Sequence, residues 1–352
     1  MMILDDPQKM SALDSQDMLA HIRSLPQQLT SAWQMAQDYP LPRLAAPRSV
    51  LISGMGGSAI GADLVAAYIT PLCSVPVIVL RDYDLPAWVD PATTLVVASS
   101  HSGNTEETLA VFDQALAKGC SILSITTGGE LAKRSQANGI PVWKFVHAGQ
   151  PRAAVGFSFG LLLAAFTRMG LIPDQSAALQ AAVADMLAQQ KLLDVDVPVS
   201  ENPAKRGAGQ MMGRNVVVMA SGYLAPVSRR WKGQISEVAK AWAQYEVLPE
   251  ADHNTLAGLS NPADLVTHMM VLFLHAPSDN PRNTLRSKLT REIFMLEAIC
   301  TDTFHARGDS PLSHIWTSVQ YGDYLAYYLA MAYGVDPTPI EFITSLKNAM
   351  QG

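Results

Sequence analysis

The sequence has no long apolar run, few cysteines and no block of basic charge, and each absence excludes something. Its longest apolar runs, GFSFGLLLAAF (156–166) and MMVLFLHA (269–276), fall well short of the ~20 residues that a membrane span needs. The first residues, MMILDDPQKM, lack a basic stretch followed by an apolar core, so no secretory signal is expected. The three cysteines, Cys73, Cys120 and Cys300, form no CxxC pair. Reduced thiols in a cytoplasmic protein are the expectation. Only 16% of residues are charged and the net charge is −6, with no basic cluster, so nucleic-acid binding is not expected. An anionic ligand would have to be met by a local positive field. No Gly-Lys-Ser/Thr follows any glycine-rich turn, and the 8 histidines show neither HExxH nor a Cys/His spacing suited to zinc.

What is present points to an α/β protein. The chain has 352 residues, 49% of them hydrophobic, enough for one large or two medium domains. Residues 10–40 read as helical, with Met18, Ile22, Leu25, Leu29 and Trp33 at helical spacing and Pro26 splitting the stretch in two. A strand series then follows: SVLIS (49–53), PVIVLRDY (76–83), TTLVVASS (93–100), CSILSITT (120–127) and IPVWKF (140–145). These strands are short, apolar and β-branched, and helices separate several of them, as in a parallel sheet covered on both faces. Helices and a connector occupy 156–192. RNVVVMAS (214–221) then repeats the order strand, glycine turn, helix. DLVTHMMVLFLHA (264–276) reads as a strand leaving a loop, and SKLTREIFMLEAIC (287–300) and HIWTSVQYGDYLAYYLAMAYGV (314–335) read as helices. The chain thus divides into a helical segment (1–45), a first α/β domain (46–170), a helical connector (171–205) and a second α/β domain (206–352).

Two turns of the first half share a chemistry. Ser53-Gly-Met-Gly-Gly-Ser58 and Ser100-His-Ser-Gly-Asn-Thr105 each follow a strand and open a helix. The first turn of such a helix offers unpaired N–H groups and a positive dipole end, glycines allow close approach, and hydroxyls add donors. Together these describe an anion site that needs little Lys or Arg. GMGGSA also fits the looser dinucleotide pattern G-x-G-x-x-G/A through Gly54, Gly56 and Ala59, with Asp82 where a ribose-binding acid would sit. An ordinary helix cap is a third reading, with Ser102 or Thr105 capping and Glu106 and Glu107 suiting the positive end.

In the second half, Glu237 lies in a helix among Ile235, Ser236, Val238 and Ala239. Partial desolvation there would raise a carboxylate's proton affinity toward that of a useful base. His253 sits in Asp-His-Asn after Pro249, and imidazole moves protons near neutral pH. The plain alternatives are a solvated helix face, with Lys232 or Lys240 beside Glu237, and a histidine that caps a turn.

GMGGSAIGADL with SSHSGNTEET resembles the sugar-isomerase (SIS) fold. Trp231-Lys232-Gly233-Gln234-Ile235-Ser236-Glu237 and Leu248-Pro249-Glu250-Ala251-Asp252-His253-Asn254 are similar to the WK-x-Q-x-x-E and L-P-E-x-x-H-N segments of the bifunctional phosphoglucose/phosphomannose isomerases. PRAA (151–154) and VDPTPIEFITSLK (335–347) are similar too, and the likeness runs from about residue 45 to 350. The resemblance implies two SIS-type doubly wound domains, each a mainly parallel sheet flanked by helices. It implies a sugar phosphate as substrate, no metal or other cofactor, and a homodimer. Ser58, Ser100, Ser102 and Thr105 would bind the phosphate, and Gly56, Gly57 and Thr338 would line the substrate. Glu237 would shuttle a proton between C1 and C2, and Arg152 would stabilise the enediolate. His253, from the partner subunit, would open the sugar ring with help from Lys347. His101 stands where relatives often carry Tyr. A non-catalytic phosphosugar-binding regulator and an isomerase of a different sugar phosphate are the alternatives.

Overall fold

The computed structural model describes residues 3–44 and 46–351. Three helices come first: α1 (Pro7–Leu13), α2 (Met18–Arg23) and α3 (Leu25–Ala36). Pro26 stands in the first turn of α3, where no intrahelical bond needs its missing N–H, so the stretch breaks there as expected, but a second break between Leu13 and Met18 makes three helices where two were expected. Packing divides the chain into two compact units. One comprises Ser24–Met186 and Gly308–Trp316, and the other Met1–Arg23, Leu187–Arg307 and Thr317–Gly352.

The first unit holds β1 (Ser49–Ser53), α4 (Gly56–Ile69), β2 (Val77–Leu80), β3 (Thr94–Ser100), α5 (Glu106–Lys118), β4 (Ser121–Thr126), α6 (Gly129–Ala137), β5 (Val142–Lys144) and α7 (Val155–Arg168), with α8 (Ser176–Leu193) running out of it. All strand pairs are parallel, in the order β2-β1-β3-β4-β5. Every residue of β3 is buried, which explains its unbroken apolar run. On one face Leu51, Val96 and Ala98 pack with Val111, Phe112 and Ala115 of α5. The chain leaves β1 to one side and β3 to the other, so the carboxyl ends of these two strands flank the topological switch point.

The second unit holds α9 (Pro203–Met211), β6 (Asn215–Ser221), α10 (Ala225–Glu237), β7 (Ala243–Leu248), α11 (Ala263–Thr267), β8 (Met269–His275), α12 (Pro281–Leu296), β9 (Cys300–His305), most of α13 (Pro311–Tyr333) and α14 (Glu341–Gln351). Its parallel sheet runs β7-β6-β8-β9. That order repeats β2-β1-β3-β4, so the two halves share one topology. Three readings need correction. Residues 264–276 split into α11 and β8. The helix read over 287–300 ends at Leu296, and Cys300 opens β9. β7 and β9 were not expected at all. Among the described residues, no helix is long and apolar enough to cross a membrane.

Candidate active site

The first unit assembles a cradle at the tips of β1 and β3. Gly56 has φ +50°, in the left-handed region that favours glycine. A Cβ at Gly54 would crowd the Ser99 carbonyl, and one at Gly57 would overlap the carbonyl of Pro151. The glycines therefore let the end of β3 and the segment before α7 close onto the first turn of α4. Ser58 is buried, and its Oγ accepts the His101 N–H at 3.2 Å, which joins the two turns. Ser100 and Thr105 share a hydroxyl–hydroxyl hydrogen bond of 2.8 Å, and Ser100 Oγ also accepts the Gly103 N–H at 3.1 Å. Ser102 Oγ accepts the Asn104 N–H at 3.2 Å. Thr105 occupies the N-cap position of α5 but its hydroxyl makes no capping bond. The helix-cap reading thus accounts for its place and not for its side chain. The loop after β4 braces the cradle from below: Thr127 donates to the His101 carbonyl through N–H at 3.0 Å and Oγ1 at 2.7 Å.

Arg152 lies beside this cradle, 3% exposed, in the single helical turn Pro151–Ala153. Gln28 of α3 holds that turn. Its Nε2 donates to the Ala153 carbonyl at 2.8 Å and its Oε1 accepts the Gly156 N–H at 3.2 Å. Sequence reasoning missed Gln28. Its signal is a glutamine on an otherwise apolar helix face, next to the stripe of Leu25 and Leu29.

In the second unit Glu237 is the last residue of α10 and is half-buried. α10 is anchored against α13 by a buried ion pair. Arg230 Nε and Nη2 donate to Asp323 Oδ1 and Oδ2 at 3.1 and 2.7 Å. Burial pushes the Asp323 carboxyl up in proton affinity, and the Arg230 guanidinium opposes this. Trp231 adds a hydrogen bond of 2.9 Å from Nε1 to the Ser318 carbonyl, with its ring over Gly322. The tryptophan of the WKGQISE segment is therefore an anchor. The α10 end is capped by Lys240, in a left-handed conformation, whose Nζ donates to the carbonyls of Glu237 at 2.7 Å and Pro337 at 3.1 Å. Lys240 thus ties the Asp336–Thr338 strap to the catalytic candidate. A cavity of about 480 Å³ opens there, lined by Ser236, Glu237, Lys240, Asp336, Pro339 and Phe342 among others. Thr338 is buried in the strap, and its N–H donates to Asp336 Oδ1 at 3.0 Å. Lys347 is exposed on α14, one turn beyond the residues of that helix that line the cavity.

His253 is not among the residues lining the Glu237 cavity. It is exposed on the turn Glu250–His253, which Asp252 pins to α12 through Arg286 Nη1 at 2.9 Å and Thr290 Oγ1 at 2.7 Å. Among the described residues, no group of three His, Cys, Asp or Glu is placed to hold a metal ion.

Comparison with known proteins bears on the fold and the family. Residues 200–350 match the family described as the bacterial phospho-glucose isomerase C-terminal SIS domain. A curated relative from Caldicellulosiruptor bescii, named bifunctional phosphoglucose/phosphomannose isomerase, is 36% identical over 95% of this chain and 98% of its own. Among solved structures, a hypothetical protein from Thermus thermophilus superposes with a TM-score of 0.76 at 15% identity, covering 98% of this chain and 92% of that one. Tagatose-6-phosphate ketose/aldose isomerase from Escherichia coli superposes with a TM-score of 0.66 at 15% identity, covering 91% and 94%. Both sheets are therefore SIS-type. With that identity held across nearly all of both sequences, the chain belongs to the bifunctional phosphoglucose/phosphomannose isomerase family.

Proposed function

We propose that the protein is an aldose–ketose isomerase that interconverts glucose 6-phosphate and mannose 6-phosphate with fructose 6-phosphate, without a metal, through a cis-enediolate. The observation that carries this reading is the cradle. Two hydroxyl-lined strand tips meet through Ser58 and His101, and the Gly57–Pro151 approach sets the buried Arg152 turn beside them. Phosphate held by Ser58, Ser100, Ser102 and Thr105 is remote from the reacting carbons, so its binding energy can orient C1 and C2. Glu237 removes the weakly acidic proton and returns it to the neighbouring carbon, a role worth ~10²–10⁴-fold. Arg152, permanently cationic, offsets the charge on the enediolate oxygens. His253 and Lys347 serve ring opening, and Thr338 borders the sugar.

The protein acts as a homodimer, with His253 reaching the partner's site. Two features support this. The His253 turn is fastened to α12, and α12 exposes Leu285, Leu289, Ile293 and Leu296 at a spacing that puts them on one stripe. α14 likewise exposes Phe342, Leu346 and Met350. The coupled assay with each aldose phosphate, with and without a chelator, tests the reading. Turnover of both substrates, unchanged by the chelator, is expected. Saturable binding of fructose 6-phosphate without turnover would make the protein a phosphosugar sensor instead.

A further inference from the structure

His101 has a second feature that the phosphate cradle does not use. Its backbone is fixed at both ends, by Ser58 through the N–H and by Thr127 through the carbonyl. Its ring meets His147, with Nε2 3.1 Å from Nδ1 and the rings edge-to-face at 5.3 Å. An imidazole–imidazole hydrogen bond needs one N–H facing one lone pair. Two aromatic rings flank the half-buried pair. Phe145 and Phe157 stack at 5.1 Å, Phe145 meets His101 at 5.7 Å and Phe157 meets His147 at 6.1 Å. Burial holds the His101 ring below its ordinary proton affinity, which favours its neutral form.

The position of His147 gives the contact its consequence. It stands four residues before Pro151, in the segment that leads from β5 to the Arg152 turn. At its far end that turn is tied to α3 by Gln28. At its near end, the His101–His147 hydrogen bond cross-links the segment to the phosphate loop. We propose that His101 and His147 form a latch that seats the segment 147–152 on the cradle, and that both are positioning residues acting through Arg152. This rests on the isomerase reading above for its effect on rate, and on geometry alone for its effect on the segment.

The test uses the full-length protein. His101→Phe, His147→Phe and the double variant remove the hydrogen bond while keeping an aromatic ring. His101→Gln and His147→Asn place an amide nitrogen or oxygen near the lost Nε2 and Nδ1. Misplacement by ~1 Å can cost on the order of 10²-fold in rate, so each Phe variant is expected to lower kcat by about tenfold or more. KM for fructose 6-phosphate should stay within about threefold, because the cradle's own N–H groups remain. The double variant should be no worse than either single one, and each amide variant should recover most of the loss. Hydrogen exchange across 146–153 should accelerate in the Phe variants and not in the amide variants. The latch is refuted if the two Phe losses multiply in the double variant, if the amides do no better than Phe, or if exchange in 146–153 is unchanged. If the wild-type protein shows no isomerase activity, the functional reading fails, and the exchange measurement alone decides the latch.

Discussion

At the scale of single residues, the site is set by where side chains are missing as much as by where they are present. Gly57 is the sharpest case. A Cβ there would collide with the Pro151 carbonyl, a backbone atom that cannot swing aside. Gly57→Ala is expected to lower stability by ~1–3 kcal/mol and to displace the Arg152 turn. Thermal unfolding and the kcat of the variant check this. His101 carries a pH dependence as well. Its buried ring takes a proton less readily than the ordinary 6.5. The unfolded chain binds that proton as pH falls below its own value while the folded one resists it, so the stability it contributes is full above this range and is lost below it. Urea unfolding across pH should show a shallower acid-side slope for His101→Gln than for wild type. The two hydroxyl-bearing turns were legible in the sequence because each is a Ser- and Gly-rich stretch between a strand and a helix, although the same residues also suited a dinucleotide loop or a helix cap. Gln28 and His147 were not, since the contacts that matter here join residues more than forty positions apart.

At the scale of elements, α10 carries Glu237 and is only as well placed as its anchor. Arg230 and Asp323 are both almost fully buried. Arg230→Met would leave a buried carboxylate without its countercharge, at a cost of ~3–5 kcal/mol, while Arg230→Met with Asp323→Leu should recover most of it. A urea-unfolding double-mutant cycle measures both. The strands that sequence reasoning missed, β7 and β9, are the two edges of the second sheet. Apart from the buried Ala243 and Leu248, the residues of AQYEVL and CTDTFH are exposed or half-exposed, and each strand carries an acidic residue, so no apolar run marks them. The end of α12 was hidden for a related reason. The chain turns at Ala298, with φ +61°, where a glycine would have announced the stop. The buried central strands β1, β3 and β6 were read almost to the residue because burial on both faces leaves an unmistakable pattern.

At the scale of the whole molecule, one strand order is used twice, but the hydroxyl-rich cradle stands at the first sheet and the proposed base in the second unit. Nothing in the sequence marks that Gly308–Trp316 packs with the first unit, because α13 runs on without a break. The proposed dimer makes a prediction of its own. His253→Ala and Glu237→Gln proteins should each be inactive, yet mixing them under subunit exchange should restore about a quarter of wild-type activity, since half the dimers would hold one intact site of two. No recovery despite proven exchange would place His253 in the same subunit's site. The central claim, a carboxylate moving a proton within a phosphate-anchored sugar, is tested most directly with fructose 6-phosphate in D₂O, followed by proton NMR. Wild-type protein should form both aldose phosphates with solvent deuterium at C2, and Glu237→Gln should bind the sugar phosphate but form neither. Isomerisation by Glu237→Gln at the wild-type rate would contradict the account.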